Sequence, residues 1–207
     1  MKHNNIPKTL ILAAAMSLGL AASAVAADTP VPVSGNMGLL GQTYADLTYS
    51  YINLDASSSH ADDYHFEYNQ PLNAGFDGVL AYDWTQTGSF AKQQSILAAL
   101  RAFNTSFKWG KPYVEAGGGY AWNKVAGVKD NSFLWEVTVG AEFQVAPAVT
   151  VTPFVQYLDA PDLASRSTWN YGVNANYWID SQWAVTGGIS RNDNQDTAFT
   201  VGTNFRF

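Results

Sequence analysis

The sequence predicts an all-β protein, a closed antiparallel up-and-down transmembrane β-barrel of ten strands, with eight strands as the alternative. Three observations predict it. Ten segments from Gly41 onward alternate apolar and polar residues with a period of two, the pattern of a strand with one apolar and one polar face. Aromatic residues gather at both ends of those segments, as the two interfacial girdles of a membrane barrel do. The last segment alternates up to a terminal phenylalanine, Phe207, an ending that suits a strand locked into a closed sheet better than a fraying terminus.

Residues 1–27 read as a signal peptide. Met1-Lys2-His3 and Lys8 are positive, Thr9 to Leu20 is apolar, and Ala21 to Ala27 is rich in small residues, with cleavage after Ala26 or Ala27. The apolar run falls short of the roughly 18 residues that a spanning helix needs. Cysteine is absent, so an exported chain would take no stability from disulfides. With Lys2 and Lys8 removed, nine basic residues face 17 acidic ones. That acidic surplus argues against nucleic acid as a partner. Residues 28–40, with Pro30, Pro32, Gly35 and Gly38, form a flexible lead-in, and residues 41–207 form the barrel.

The first strand sets Ala45, Leu47, Tyr49 and Tyr51 against Tyr44, Asp46, Thr48 and Ser50. After a loop at 54–62, Tyr64, Phe66 and Tyr68 oppose His65, Glu67 and Asn69. A turn at 71–74 leads to Phe76, Leu80, Tyr82 and Trp84, against Asp77, Val79, Ala81 and Asp83. Beyond a loop at 85–93, Ile96, Ala98, Leu100 and Ala102 alternate with Ser95, Leu97, Ala99, Arg101 and Phe103; this is the weakest pattern, and a helix is its alternative. A turn with Gly110 and Pro112 precedes Val114, Ala116, Gly118, Tyr120 and Trp122, against Glu115, Gly117, Gly119 and Ala121.

The loop 123–132 follows. The sixth strand then runs from Phe133 to Val145, with Trp135, Val137, Val139, Ala141 and Phe143 opposing Leu134, Glu136, Thr138, Gly140, Glu142 and Gln144. After a tight turn at 146–148, Val149, Val151, Pro153, Val155 and Tyr157 face away from Thr150, Thr152, Phe154 and Gln156. A loop at 159–167 separates these from Trp169, Tyr171, Val173, Ala175 and Tyr177, against Thr168, Asn170, Gly172, Asn174 and Asn176. A turn at 179–181 leads to Trp183, Val185, Gly187 and Ile189, against Ala184, Thr186, Gly188 and Ser190. The loop 191–197 feeds the last strand, where Phe199, Val201, Phe205 and Phe207 oppose Ala198, Thr200, Gly202, Asn204 and Arg206.

A soluble β-sandwich alternates too, with the aromatic row as its core and the charged row in water. The signal peptide, the two aromatic girdles, the even strand number and both barrel ends on the short-turn side favour the membrane barrel. The closing strand resembles that of bacterial outer-membrane β-barrel proteins, which end on an aromatic with apolar residues at alternate positions upstream. Here Phe199, Val201, Phe205 and Phe207 carry that likeness, and Thr203 departs from it. A resemblance to small barrels of the OmpA and porin kind implies the outer membrane of a Gram-negative cell. It also implies lipid against the apolar row, short periplasmic turns, longer extracellular loops, and reading of the closing strand by the barrel-assembly machinery.

The polar row is the candidate functional surface. Its inward members are Asp46, His65, Glu67, Asp77, Asp83, Arg101, Glu115, Glu136, Glu142, Gln156 and Arg206. Seven acids against two arginines make an acidic lumen, which favours a narrow passive pore that prefers cations and passes small solutes. The wall from Thr150 to Ser190 carries small polar groups that suit either a water path or a hydrogen-bonded plug. A plug would make the protein a structural or surface-interaction barrel, although loops of about 7 to 10 residues are short for binding. Hairpin arithmetic places Asp77 and Glu115 within reach of Arg101, and a buried arginine needs such partners.

A membrane-embedded hydrolase is the remote alternative. Ser57-Ser58-Ser59-His60-Ala61-Asp62-Asp63 holds the residue types of a triad, but triad members come from separate elements. His65 beside Glu67 reads as a lumen pair. No catalytic residue is assigned. No metal or cofactor is assigned either, because zinc-ligand spacing and a phosphate loop are missing and 192–196 lacks the glycine and glutamate of a calcium loop.

Overall fold

The computed structural model describes residues 37–55, 59–89, 91–163 and 167–207. Residues 1–27, which the sequence reads as a signal peptide cleaved after Ala26 or Ala27, most of the lead-in, and Ser57 and Ser58 lie outside the described residues.

The ten strands are β1 Tyr44–Asn53, β2 His60–Asn73, β3 Phe76–Thr87, β4 Ala91–Phe103 and β5 Lys111–Val125, then β6 Val128–Ala146, β7 Val149–Asp159, β8 Ser167–Trp178, β9 Trp183–Asn192 and β10 Thr197–Arg206. Each pairs antiparallel with its sequence neighbours, and β10 pairs with β1 to close the barrel. Closure matters because an apolar solvent offers no partner to a free strand edge. At the seam, Phe199 stands opposite Tyr51, Val201 opposite Tyr49 and Phe205 opposite Ala45, while Asn204 meets Asp46 on the inner side. A slip of one residue would turn every one of these side chains to the wrong face, so the two rows set the register. Thr203, the polar intruder in the outer row, donates its hydroxyl to the Ala184 carbonyl at 3.0 Å.

The segment 95–103, for which the sequence leaves a helix open, is strand. Ile96 pairs with Tyr82 on β3 and Tyr120 on β5, so both flanks of its backbone are hydrogen-bonded within the closed sheet. Outward side chains form an apolar belt that includes Leu47, Phe66, Leu80, Leu100, Val139, Val155 and Val201, all exposed. Rings cluster at its two rims. Trp135, Tyr157 and Trp169 run across β6, β7 and β8 at 5.3 and 5.0 Å near one rim, and Trp183, Phe205 and Phe207 follow at 4.6 and 5.1 Å near the other.

One end of the barrel, here the terminal end, carries the start of β1, the finish of β10 and the connectors 74–75, 104–110, 147–148 and 179–182. The distal end carries, among the described residues, 54–55 and 59, 88–89, 126–127, 160–163 and 193–196. The predicted contrast between long loops and short turns is thus weaker than the polarity pattern suggests. The loops expected at 85–93 and 123–132 are mostly strand, with a turn at 88–89 in the first and the two-residue turn Ala126-Gly127 in the second. Both turn residues have positive φ, 49° and 87°, as a tight hairpin turn twisted to match its strands requires. The physical reason is that polarity marks where lipid gives way to water, whereas strand pairing continues beyond that level.

The barrel interior as candidate functional site

Because the period is two, the row that faces away from the apolar belt faces the lumen. There the structure places Asp46, His65, Glu67, Asp77, Asp83, Arg101, Glu115, Glu136, Glu142 and Arg206 as buried side chains, and Gln156 as a half-buried one. Lys111 at the start of β5 joins them, with Nζ 3.1 Å from Glu142 Oε1. Asp63, also buried, accepts a hydrogen bond from Thr85 Oγ1 at 2.5 Å. Sequence reasoning left both out, although Asp63 sits two residues before His65 and so shares its face.

Arg101 ties four strands together. Its Nε donates to Glu115 Oε2 at 2.5 Å, and Nη2 lies 3.1 Å from Glu67 Oε1. Nη1 donates to the Tyr44 hydroxyl at 2.8 Å, and that hydroxyl in turn donates to Glu67. Glu115 is the partner the sequence predicts; Asp77 is not a partner. Asp77 does stand opposite Arg101 in the register, yet its Oδ2 accepts the Gly41 N–H at 2.9 Å. The long arginine side chain reaches past its immediate neighbour to Glu67, one strand further round. His65 likewise takes Asp83 as its close partner, Nδ1 to Oδ1 at 2.7 Å, with Glu67 Oε2 at 3.9 Å from Nε2. Ser95 Oγ donates to the other Asp83 oxygen at 3.1 Å, and Gln156 Nε2 donates to Glu136 Oε2 at 2.7 Å.

Across the lumen the part of the wall that lines the cavity from Thr152 to Asn204 is uncharged. Thr186 Oγ1 donates to Asn176 Oδ1 at 2.7 Å, and Asn204 Nδ2 donates to the same oxygen at 3.1 Å and to Thr186. Between the two walls lies a cavity of about 130 Å³ whose lining includes Asp46, Glu67, Arg101, Glu136, Asn174 and Asn204. Its polarity and volume suit several hydrogen-bonded waters. Asp46 Oδ1 and Thr138 Oγ1 border it without a hydrogen-bond partner among the described residues.

Apolar residues border the cavity on one side and the lead-in borders it on the other. Toward the distal end Ala81, Leu97, Ala121, Leu134, Leu158, Ala160 and Leu163 pack as one apolar cluster, of which Leu97, Leu134 and Leu158 line the cavity, and Leu163 comes from the β7–β8 connector. Toward the terminal end the lid is the last part of the lead-in. The sequence places residues 28–40 outside the barrel; their described end, Met37–Leu40, packs inside its mouth. Leu39 N donates to Glu142 Oε2 at 2.5 Å, and Lys111 Nζ donates to the Leu40 carbonyl at 3.3 Å. Arg206 stacks 3.8 Å over the Trp178 ring and donates to the Gly38 carbonyl. Met37 packs with Trp178 and Ala184. Two glycines permit this entry. A Cβ on Gly38 would overlap the Glu142 carboxylate, and Gly41 has φ +78°.

Of the hydrolase candidates, Ser57 and Ser58 lie outside the described residues. His60 stacks on Tyr51 at 5.0 Å and lies 3.8 Å from Asp62, on an exposed rim. The 192–196 loop closes on itself, with Asn192 Nδ2 donating to Asp196 Oδ2 at 3.0 Å. Among the described residues, no group of three His, Cys, Asp or Glu side chains is arranged to hold a metal ion.

No protein-family model matches the chain, and no curated protein matches it. Among solved structures, the NanC porin is similar over 79% of this chain and 100% of its own, with a TM-score of 0.53 and 10% identity. An outer membrane channel from Pseudomonas putida F1 is similar over 86% of this chain and 99% of its own, with a TM-score of 0.49 and 10% identity. Neisserial surface protein A is similar over 80% of this chain and 96% of its own, with a TM-score of 0.46 and 14% identity. The fold is that of the small bacterial outer-membrane β-barrels.

Proposed function

We propose that the chain is an integral outer-membrane barrel that forms a narrow, cation-preferring passage for small solutes, held closed by the Met37–Gly41 lid. The supporting observation is the hydrated-sized cavity whose charged wall holds more carboxylates than cations. Each carboxylate there lowers the energy of a passing cation and raises that of an anion, an effect that salt screens. The terminal end faces the periplasm in this reading, and the closing strand that ends on Phe207 is read by the barrel-assembly machinery. The residues assign no enzymatic role.

The test is a planar-bilayer recording of refolded protein under a potassium chloride gradient. Rare, small openings with a reversal potential toward that of potassium are expected, and chloride selectivity would overturn the reading. A second reading, a non-conducting structural barrel, is favoured by the apolar cluster around Leu97, Leu134 and Leu163, which packs inside the barrel toward the distal end. Silence from both the native protein and a variant with a loosened lid would select it.

A further inference from the structure

The outward rows at the distal end of β4, β5 and β6 contain a rung that the passage does not use. Lys92 stands opposite Lys124, and Lys124 stands opposite Lys129, so three lysines occupy consecutive positions across three strands on one face. All three are exposed. Like charges placed directly opposite one another destabilise a strand pair. Among the described residues none of the three has an acidic partner within ion-pair distance, and Asp130 lies on the opposite face of its strand, its Oδ1 accepting the Asn131 N–H at 3.0 Å. A chain with formal charge −6 has nonetheless gathered three cations in one place.

The rungs beneath say what they face. One step toward the membrane, Gln94, Trp122 and Asn131 form the next rung; one step further, Ile96, Tyr120 and Phe133 form the first wholly apolar and aromatic one. Tyr120 donates its hydroxyl to Asn131 Oδ1 at 2.5 Å, so the polar end of that ring points away from the belt. Lys92 Nζ leans to 5.9 Å from the ring of Trp84, itself a girdle residue. Four residues of strand separate the lysines from the apolar rung, roughly 13 Å along the strand and about 10 Å along the barrel axis at the usual tilt. That is headgroup depth. Neighbouring strands lie about 4.8 Å apart, so the three ammonium groups span a strip of about 10 Å.

We infer that Lys92, Lys124 and Lys129 form a binding site for the phosphorylated headgroup of an outer-leaflet glycolipid. Flexible ammonium groups at this spacing match phosphate groups on one headgroup, the aromatic rung beneath lies against its acyl chains, and the bound anion removes the repulsion along the rung. The inference rests on the outer-membrane placement proposed above. Insertion of the native protein into phosphatidylcholine bilayers tests that placement separately, since no anionic lipid is needed there.

The experiment compares the native protein with the K92Q/K124Q/K129Q variant, both refolded in zwitterionic micelles, with folding checked by gel mobility before and after boiling. Bisphosphorylated lipid A is titrated and binding is read by native mass spectrometry. A lysine near an anionic surface contributes about fivefold, so the triple variant is expected to bind about a hundredfold more weakly. The single K124Q variant should fall about fivefold and guards against a folding defect in the triple one. K108Q, at the terminal end, should bind like the native protein. Undiminished binding by the triple variant, or equal binding of dephosphorylated lipid A, would overturn the site. An equal response to inorganic phosphate or to a soluble heparin fragment, with no lipid present, would overturn the glycolipid assignment.

Discussion

Arg101 and Glu115 face one another directly across β4 and β5, and the guanidinium Nε donates to the Glu115 carboxylate at 2.5 Å. Glu67 and Tyr44 complete the cluster. Removing one partner of a buried ion pair costs about 3–5 kcal/mol, because the other charge is left without compensation. Arg101→Ala strands two carboxylates, so urea unfolding in micelles should show a loss at the upper end of that range. Arg101→Lys should recover only part of it, since one ammonium cannot present a planar fork to Glu115 and Glu67 together. A lysine variant as stable as the native protein would show that simple charge, and not the bridging geometry, holds this end of the barrel.

Two adjacent residues test the assignment of faces. Val137 lies in the outer row of β6, opposite Ala116 and Tyr157, while Thr138 faces the cavity. Val137→Arg should cost about 2–4 kcal/mol in a bilayer, the penalty of a cation near the midplane. Thr138→Arg places the same group beside Glu115, Glu136 and Glu142 and should cost much less. Equal losses in paired unfolding titrations would contradict the two rows.

These residues also mark what the sequence could tell. Face is a local property with a period of two, so every strand's inner and outer rows were legible. The Arg101–Glu115 pair was legible too, because a hairpin places the residues opposite by counting. Glu67 was not, since reaching it means passing over β3, a distance that counting along one hairpin does not reveal. The ends of β4, β5 and β6 were hidden because Lys92, Lys124 and Lys129 read as loop while their backbones still pair. Met37–Gly41 has no period at all, and its packing depends on Glu142, Asp77 and Arg206, which lie more than thirty residues away in sequence.

Phe207 ends the closing strand. Its N–H donates to the Thr43 carbonyl at 3.1 Å, and its ring lies 5.1 Å from Phe205 and 6.2 Å from Tyr68 on β2. Deleting it removes the last contact across the seam and the terminal aromatic together. The yield of heat-modifiable protein in outer membranes should fall, and normal yield from the truncated gene would remove the closing-strand reading.

Asp180, in the β8–β9 connector outside the membrane, offers a pH test. Its Oδ1 accepts the Trp183 N–H at 2.8 Å and the Gln182 N–H at 2.7 Å. These two hydrogen bonds hold its pKa below the ordinary carboxylate value, Trp183 contributing first. A depressed folded-state pKa adds stability above the unfolded value, about 3.9, and that contribution is lost as pH falls through the folded value. The native protein should therefore exceed Asp180→Ala in stability at neutral pH, with the gap shrinking from about pH 4 downward. A gap that stays constant between neutral pH and about pH 2 would mean that the carboxylate's charge plays no part in the turn.

Met37–Gly41 packs inside the terminal mouth through contacts to Glu142, Asp77 and Arg206. Gly38 lies against the Glu142 carboxylate so closely that any Cβ overlaps it, while Lys111 holds that carboxylate from the other side at 3.1 Å. Gly38→Val therefore forces the Glu142 carboxylate or the lid segment to shift, and the strands themselves are untouched by the change. Glu142→Gln acts from the opposite partner. It keeps the size of the side chain but removes the charge that Lys111 and the Leu39 N–H both contact. If the lid closes a conducting path, both variants should open more often than the native protein while Thr138→Ser, in the wall beyond the lid, should not. Gly38→Val should also remain cation-selective, because the acidic wall is intact, whereas Glu142→Gln should lose part of its selectivity together with one carboxylate. Planar-bilayer recordings of the four proteins check this ordering. Openings of equal frequency in all four would place the barrier elsewhere, at the apolar cluster of the distal half.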